Sequence, residues 1–202
     1  MLICLDPGHG GTDFGAVGYS LTEKEICLEL AFRIREKLAK YDGISVTMTR
    51  SIDLDTTPEE RSRWANEQKA DLFISIHTNA SMDPMASGFT SYVSVIAGSE
   101  VRRIQCWLHN RVVCFLRQYG VRDLGKKNDT ESLTGKLCEL RGVQMPAIAL
   151  ASLYITHSKD QLLLSDAVFK ERYAECIADG LAMVYQCQQK QFRANFTARS
   201  NI

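Results

Sequence analysis

Two histidines and one carboxylate in the first 77 positions, His9, Glu23 and His77, are of types that could together hold a metal. His9 sits in the turn Asp6-Pro7-Gly8-His9-Gly10-Gly11, where the missing side chains let the backbone come close to a ligand. His77 closes the apolar run that starts at Asp71, and Glu23 stands at the start of a helical pattern. Two imidazoles and a carboxylate form a known zinc set that leaves a fourth position open for water. Zinc in such a set lowers the pKa of that water toward ~7, giving hydroxide near neutral pH. The residue types alone do not decide the matter. The separations match no short zinc motif such as two histidines one helical turn apart. A histidine at a strand end is often hydrogen-bonded packing, and Glu23 could simply complement a helix N-terminus. His109 and His157 read as a helix histidine and a loop histidine.

These residues need elements to hold them. Met1–Leu5 is a short apolar run ending in the glycine-rich turn, a buried strand followed by a loop. A helix begins near Thr22, with Thr22 as its cap, Glu25 as capping-box partner, and Ile26, Leu30, Ile34 and Leu38 on its apolar face. Ile44–Thr49 alternates and is rich in β-branched residues, a strand. Pro58–Lys69 is a helix capped by Thr57. Asp71–His77 reads as a central strand, Gly88–Ile96 as a further strand, and Glu100–Tyr119 as an amphipathic helix. Gly120–Gly135 is polar and reads as a surface loop beside a cleft; Lys136–Leu140 and Ala147–Ser152 read as strands. Asp160 to about Gln186 is one long helix or a pair. Strands alternating with helices imply a single α/β domain, a twisted and mostly parallel sheet of about six strands flanked by helices. Ligands bind beyond the carboxyl ends of such strands, where His9 and His77 both fall. The domain is expected to occupy residues 1–187, with 188–202 as a fraying C-terminal tail.

The chain has 202 residues, 45 % hydrophobic and 24 % charged, which suits one soluble core. A formal net charge of zero argues against a general nucleic-acid binder, which needs a surplus of Lys and Arg. No run approaches the roughly 18 apolar residues of a membrane span. The N-terminus lacks the basic segment of a secretory leader, so synthesis in the cytoplasm is expected. The seven cysteines are odd in number and irregularly spaced, which suits reduced core thiols rather than a disulfide framework or a thiolate zinc site.

Several blocks then occur in order: Asp6-Pro-Gly-His-Gly-Gly11, Glu23-Lys-Glu-Ile-Cys-Leu28, Thr49-Arg50, Arg61 with Ala65-Asn66, Ala70-Asp-Leu-Phe-Ile-Ser-Ile-His-Thr-Asn-Ala80, and Met145-Pro-Ala-Ile148. Together they resemble the zinc-dependent N-acetylmuramoyl-L-alanine amidases, over Leu2 to about Leu164. The resemblance implies Zn2+ held by His9, Glu23 and His77. It also implies hydrolysis, by zinc-activated water, of the amide joining N-acetylmuramic acid to the L-alanine of the stem peptide. The expected partner is bacterial peptidoglycan or its muropeptides, met by a monomer with no nucleic acid and no membrane insertion. Such a chain fits a phage endolysin, or an autolysin freed when a mother cell lyses, reaching the wall after lysis or through a holin lesion.

In one place the chain departs from that pattern. The family's catalytic glutamate, which moves the proton from water to the leaving amine, aligns with Ala151, and a methyl group cannot carry a proton. The expectation is a disabled amidase, the Ala151 substitution being engineered or natural. The alternatives are a non-catalytic muropeptide-binding module, a zinc peptidase acting within the stem peptide, or another group in the missing role. No acid lies between Glu139 and Asp160; Glu139 is a candidate for that role, but it reads as part of the preceding strand, and its counterpart in the family is usually apolar. Loss of a general base costs about 10²–10⁴-fold in rate. Arg141 could grip a stem-peptide carboxylate; Asn79 and Asp6 could orient the zinc ligands, and Asn79 could also touch substrate.

Overall fold

The computed structural model describes residues 1–132 and 135–190. Its elements in chain order are β1 (Leu2–Pro7), the short pair β2 (Val17–Gly18) and β3 (Leu21–Thr22), α1 (Glu23–Leu38), β4 (Ser45–Met48), α2 (Pro58–Glu67), β5 (Leu72–Asn79), β6 (Phe89–Val93) and α3 (Ser99–Leu116). There follow β7 (Asp123–Asn128), α4 (Cys138–Arg141), β8 (Ala147–Tyr154), α5 (Asp160–Ser165) and α6 (Ala167–Val184). Six strands form one sheet in the order β4-β1-β5-β8-β6-β7. The pairs β4–β1, β1–β5 and β5–β8 are parallel, β8–β6 is antiparallel, and β6–β7 is parallel. The single α/β domain with a mostly parallel, six-stranded sheet is therefore as the alternating pattern implies.

Side chains alternate across a strand, and this sorts the central strands into two faces. Leu72, Ile74 and Ile76 of β5 join Ile148 and Leu150 of β8 in the larger core, beneath Leu30 and Ile34 of α1, Leu108 of α3 and Tyr173 of α6. Phe73 belongs to the other face, with Cys4, Ala149 and Ala151, against Ala65 of α2 and Leu140 of α4. Ser75 and His77 have the same parity as Phe73. In the β5–β8 register His77 stands opposite Ala151. The thinner face thus carries Ser75 and His77.

Local chemistry explains most helix starts. Thr57 accepts the amide of Glu60 at 3.2 Å and Glu60 Oε2 accepts the amide of Thr57 at 2.9 Å, a complete capping box before Pro58. Replacing Thr57 by Ala should cost about 1 kcal/mol in urea unfolding, with no change in zinc binding. Thr22 caps α1 by position only. Its hydroxyl is spent on Glu25 Oε2 at 2.6 Å, so the expected capping box does not form.

Some expectations are corrected and one open choice is decided. Lys136–Leu140 is not a strand: its end enters the helical turn α4, where Leu137 O accepts from Leu140 N and Cys138 O from Gly142 N. The stretch 120–135 is not all loop, because β7 pairs along the outer edge of β6 within it; Leu133 and Thr134 lie outside the described residues. Of the two readings of the final helical stretch, the pair holds: it breaks at Asp166, whose side chain accepts from Val168 N at 2.8 Å. Residues 188–190 do not fray: Gln188 O accepts from Asp42 N, and Lys190 N donates to Lys40 O. Residues 191–202 lie outside the described residues. All seven cysteines are free. Among the described residues no helix is long and apolar enough to cross a membrane.

Candidate metal centre and its cleft

His9, Glu23 and His77 meet at the carboxyl ends of β1 and β5, with one ligand atom of each within 4.8 Å of the others. Glu23 is the hub. It is the first residue of α1, 5 % exposed, and each of its oxygens has two neighbours. Oε1 accepts the amide of Thr78 at 2.9 Å and faces His77 Nδ1 at 3.2 Å. Oε2 accepts the amide of Ala16 at 2.9 Å and faces His9 Nε2 at 3.2 Å. Burial by itself would raise the carboxyl pKa; hydrogen bonds and charge from His77 and His9 outweigh it and hold Glu23 far below the usual carboxylate range.

A tetrahedral zinc with ligands at ~2.0–2.1 Å keeps them about 3.3 Å apart. Each imidazole stands 3.2 Å from a different oxygen of Glu23, close to that spacing, and the nitrogen–oxygen donor set suits the ion. The far nitrogens differ. His9 Nδ1 lies 2.8 Å from Asp13 Oδ2, which fixes the ring and its tautomer. Burial lowers the His9 pKa, but Glu23 and Asp13 outweigh it and leave it raised. His77 Nε2 is buried without a hydrogen-bond partner among the described residues, and its nearest acid is Glu139 Oε1 at 3.7 Å.

The loop that carries His9 is held against its own strain. His9 has a φ of 62°, unusual for a residue with a Cβ. Arg50, 3 % exposed, donates to the carbonyls of Pro7 (3.1 Å), Gly8 (2.8 Å) and Lys24 (2.8 Å), tying the loop to α1. Lys24 Nζ reaches back to Gly11 O at 2.8 Å. Gly8 has no room for a side chain, since a Cβ there would lie 2.2 Å from His77 Cε1. Gly15 is similar, with a Cβ 2.5 Å from His9 Cδ2.

The three ligands line a cleft of about 590 Å³ together with Asn79, Arg61, Glu139 and Ala151. Ala151 is on β8 beside His77, 6 % exposed, so the position expected to carry a proton shuttle does face this cleft. Asn79 lines it too, donating to Ala151 O at 3.2 Å rather than to a ligand. Arg141 does not. Its Nε donates to Asp129 Oδ2, and it borders a separate groove with Glu59 and Ser62. Asp6 touches none of the ligands: it accepts from Thr49, Ser75 and Arg61 in a buried network behind them. The orienting acid is Asp13, which sequence alone does not single out. The available signal was a carboxylate four residues from a ligand histidine in one glycine-rich loop. Asp13→Asn should weaken zinc binding roughly 10–100-fold in chelator competition, because the amide no longer holds the His9 tautomer by charge.

Comparison with known proteins agrees with this architecture. A family model described as N-acetylmuramoyl-L-alanine amidase matches residues 3–183. The endolysin of Bacillus phage SPP1 is 34 % identical over 191 residues, covering 94 % of this chain and 68 % of the endolysin. The N-acetylmuramoyl-L-alanine amidase LytC of Bacillus subtilis is 32 % identical over 185 residues, covering 91 % of this chain but only 35 % of LytC. Among solved structures, the catalytic domain of CwlV, an N-acetylmuramoyl-L-alanine amidase from Bacillus (Paenibacillus) polymyxa var. colistinus, superposes with a TM-score of 0.82 at 28 % identity, covering 93 % of this chain and 99 % of that domain. With a sheet, a ligand trio and relatives all in accord, the chain belongs to the N-acetylmuramoyl-L-alanine amidase family.

Proposed function

We propose that the chain is a zinc-dependent hydrolase of the amide between N-acetylmuramic acid and the L-alanine of the stem peptide in peptidoglycan. The observation that carries the reading is the meeting of His9, Glu23 and His77 in one cleft of a chain from this family. When bound, zinc supplies Lewis-acid polarisation of the scissile carbonyl and a water activated near neutral pH. The chain's own residues do the rest. Glu23, fixed by two backbone amides and faced by two imidazoles, keeps its charge despite burial. Asp13 sets the His9 ring, and Arg50 holds the strained loop closed.

Purified peptidoglycan incubated with the zinc-loaded chain tests this. The expected product is a new amine on L-alanine, lost on chelation and regained with added zinc. A new amine on a later stem residue would make the protein a zinc peptidase instead. The alanine at position 151 favours a second reading, a module that binds muropeptide without turnover. That reading predicts saturable muropeptide binding with no amine released over hours.

A further inference from the structure

This inference rests on the amidase reading and asks which group moves the proton. Amide hydrolysis must take a proton from water and deliver it to the leaving nitrogen, and β8 offers only the Ala151 methyl. Three carboxylates among the described residues line the cleft: Asp13, Glu23 and Glu139. Glu23 is consumed by two backbone amides and two imidazoles. Asp13 is locked by His9 Nδ1 at 2.8 Å and by the amide of Gly15 at 2.9 Å.

Glu139 is placed differently. It is 5 % exposed, and its carboxylate makes no hydrogen bond to any described residue. Its Oε1 stands 3.7 Å from His77 Nε2, too far to lock either group. The backbone beneath it is fixed: Ser62 Oγ lies 3.4 Å from Glu139 O, and Asn66 bonds Gly142 O (2.9 Å) and Gln144 N (2.8 Å). Arg61, bonded to Asp6, also feels the charge of Glu139 and offsets the cost of burying it. A buried carboxylate without hydrogen bonds is costly as a structural device. Aimed into the cleft beside a metal ligand, it has a use.

We propose that Glu139, entering the cleft from the α4 turn, is the catalytic carboxylate of this chain, in the role that position 151 leaves empty. Water adds to the scissile carbonyl carbon and gives one proton to the Glu139 carboxylate. The carbon–nitrogen bond then breaks, its electron pair stays on nitrogen, and Glu139 returns the proton to that nitrogen. The products are the lactyl carboxylic acid and a free L-alanine amine, with Glu139 again ionised.

The test compares the unaltered chain, Glu139→Gln, Ala151→Glu and the double variant Glu139→Gln/Ala151→Glu. Amine release is measured at saturating zinc, and zinc Kd by chelator competition. Glu139→Gln should bind zinc within about threefold of the unaltered chain, unlike an orienting partner. It should release amine about 10²–10⁴-fold more slowly. The double variant, with a carboxylate restored on β8, should recover at least about tenfold of that loss. If Glu139→Gln does not fold, Glu139→Ala carries the same comparison without a buried amide. Three results overturn the proposal. If the unaltered chain is inert while Ala151→Glu is active, the amidase reading stands and Glu139 is not the shuttle. If Glu139→Gln loses zinc affinity tenfold or more and recovers its rate in excess zinc, Glu139 only positions His77. If all four bind zinc and none releases amine, the amidase reading fails and takes this inference with it.

Discussion

Glu23→Gln should strip the chain of its metal. An amide offers one acceptor where Glu23 presents two, so its NH2 must face the amide of Ala16 or of Thr78, donor against donor. The charge that draws both imidazoles together is lost as well. Removing a ligand exceeds the roughly 10–100-fold loss typical of a supporting residue, so zinc affinity should fall more than ~100-fold. Competition with a chelator of known affinity measures this, and amine release should fall in step. A variant that still held one zinc per chain at unchanged affinity would mean that the three residues are packing partners rather than a metal centre.

Asp6→Ala should produce the largest loss of stability without direct damage to the ligands. Asp6 is fully buried and accepts from Thr49 Oγ1 (2.7 Å), Ser75 Oγ (2.8 Å) and Arg61 Nη1 (2.9 Å). Its removal leaves the Arg61 guanidinium buried without its partner and two hydroxyls without an acceptor. Breaking one side of a buried pair costs about 3–5 kcal/mol, a large part of the total for an ordinary domain. Urea unfolding should show it as a lower midpoint at constant slope. Protein that remains folded should still take up zinc. A change under ~1 kcal/mol would mean that Arg61 re-pairs with Glu139 at little cost.

These two sites differ in how far the sequence discloses them. His9, Glu23 and His77 were legible because ordered blocks surround them, and the apolar runs of β1, β5 and β8 made their strands plain. Their supporting shell was not. Asp13 lies in an irregular loop with no period to flag it, and Asp6 reads equally well as a ligand orienter or as the anchor of Arg61. The α4 turn has four residues, about one helical turn, too few to show a 3.6-residue repeat. Its flanks alternate, so it reads as a strand, and from sequence Glu139 is only one of several alternatives for the missing role. β7, with the sequence Asp-Leu-Gly-Lys-Lys-Asn, has no β-branched residue and extends only because β6 offers it an edge. Arg141 looked available to a substrate because nothing in the sequence reveals Asp129 as its partner.

The sheet order also has a temporal meaning. Chains emerge from the ribosome N-terminus first. By Asn79 the strands β4, β1 and β5 all exist, adjacent to one another, and so do all three candidate ligands. Glu139 and Ala151 come from α4 and β8, made some 60 residues or more after His77 on the opposite edge of β5. A nascent chain could therefore capture its ion while half the cleft is still unmade, and gain the other wall only when β8 closes on β5. If the site takes a metal, loading and completion of the cleft are separate events in the life of such a molecule, and the ligands come first.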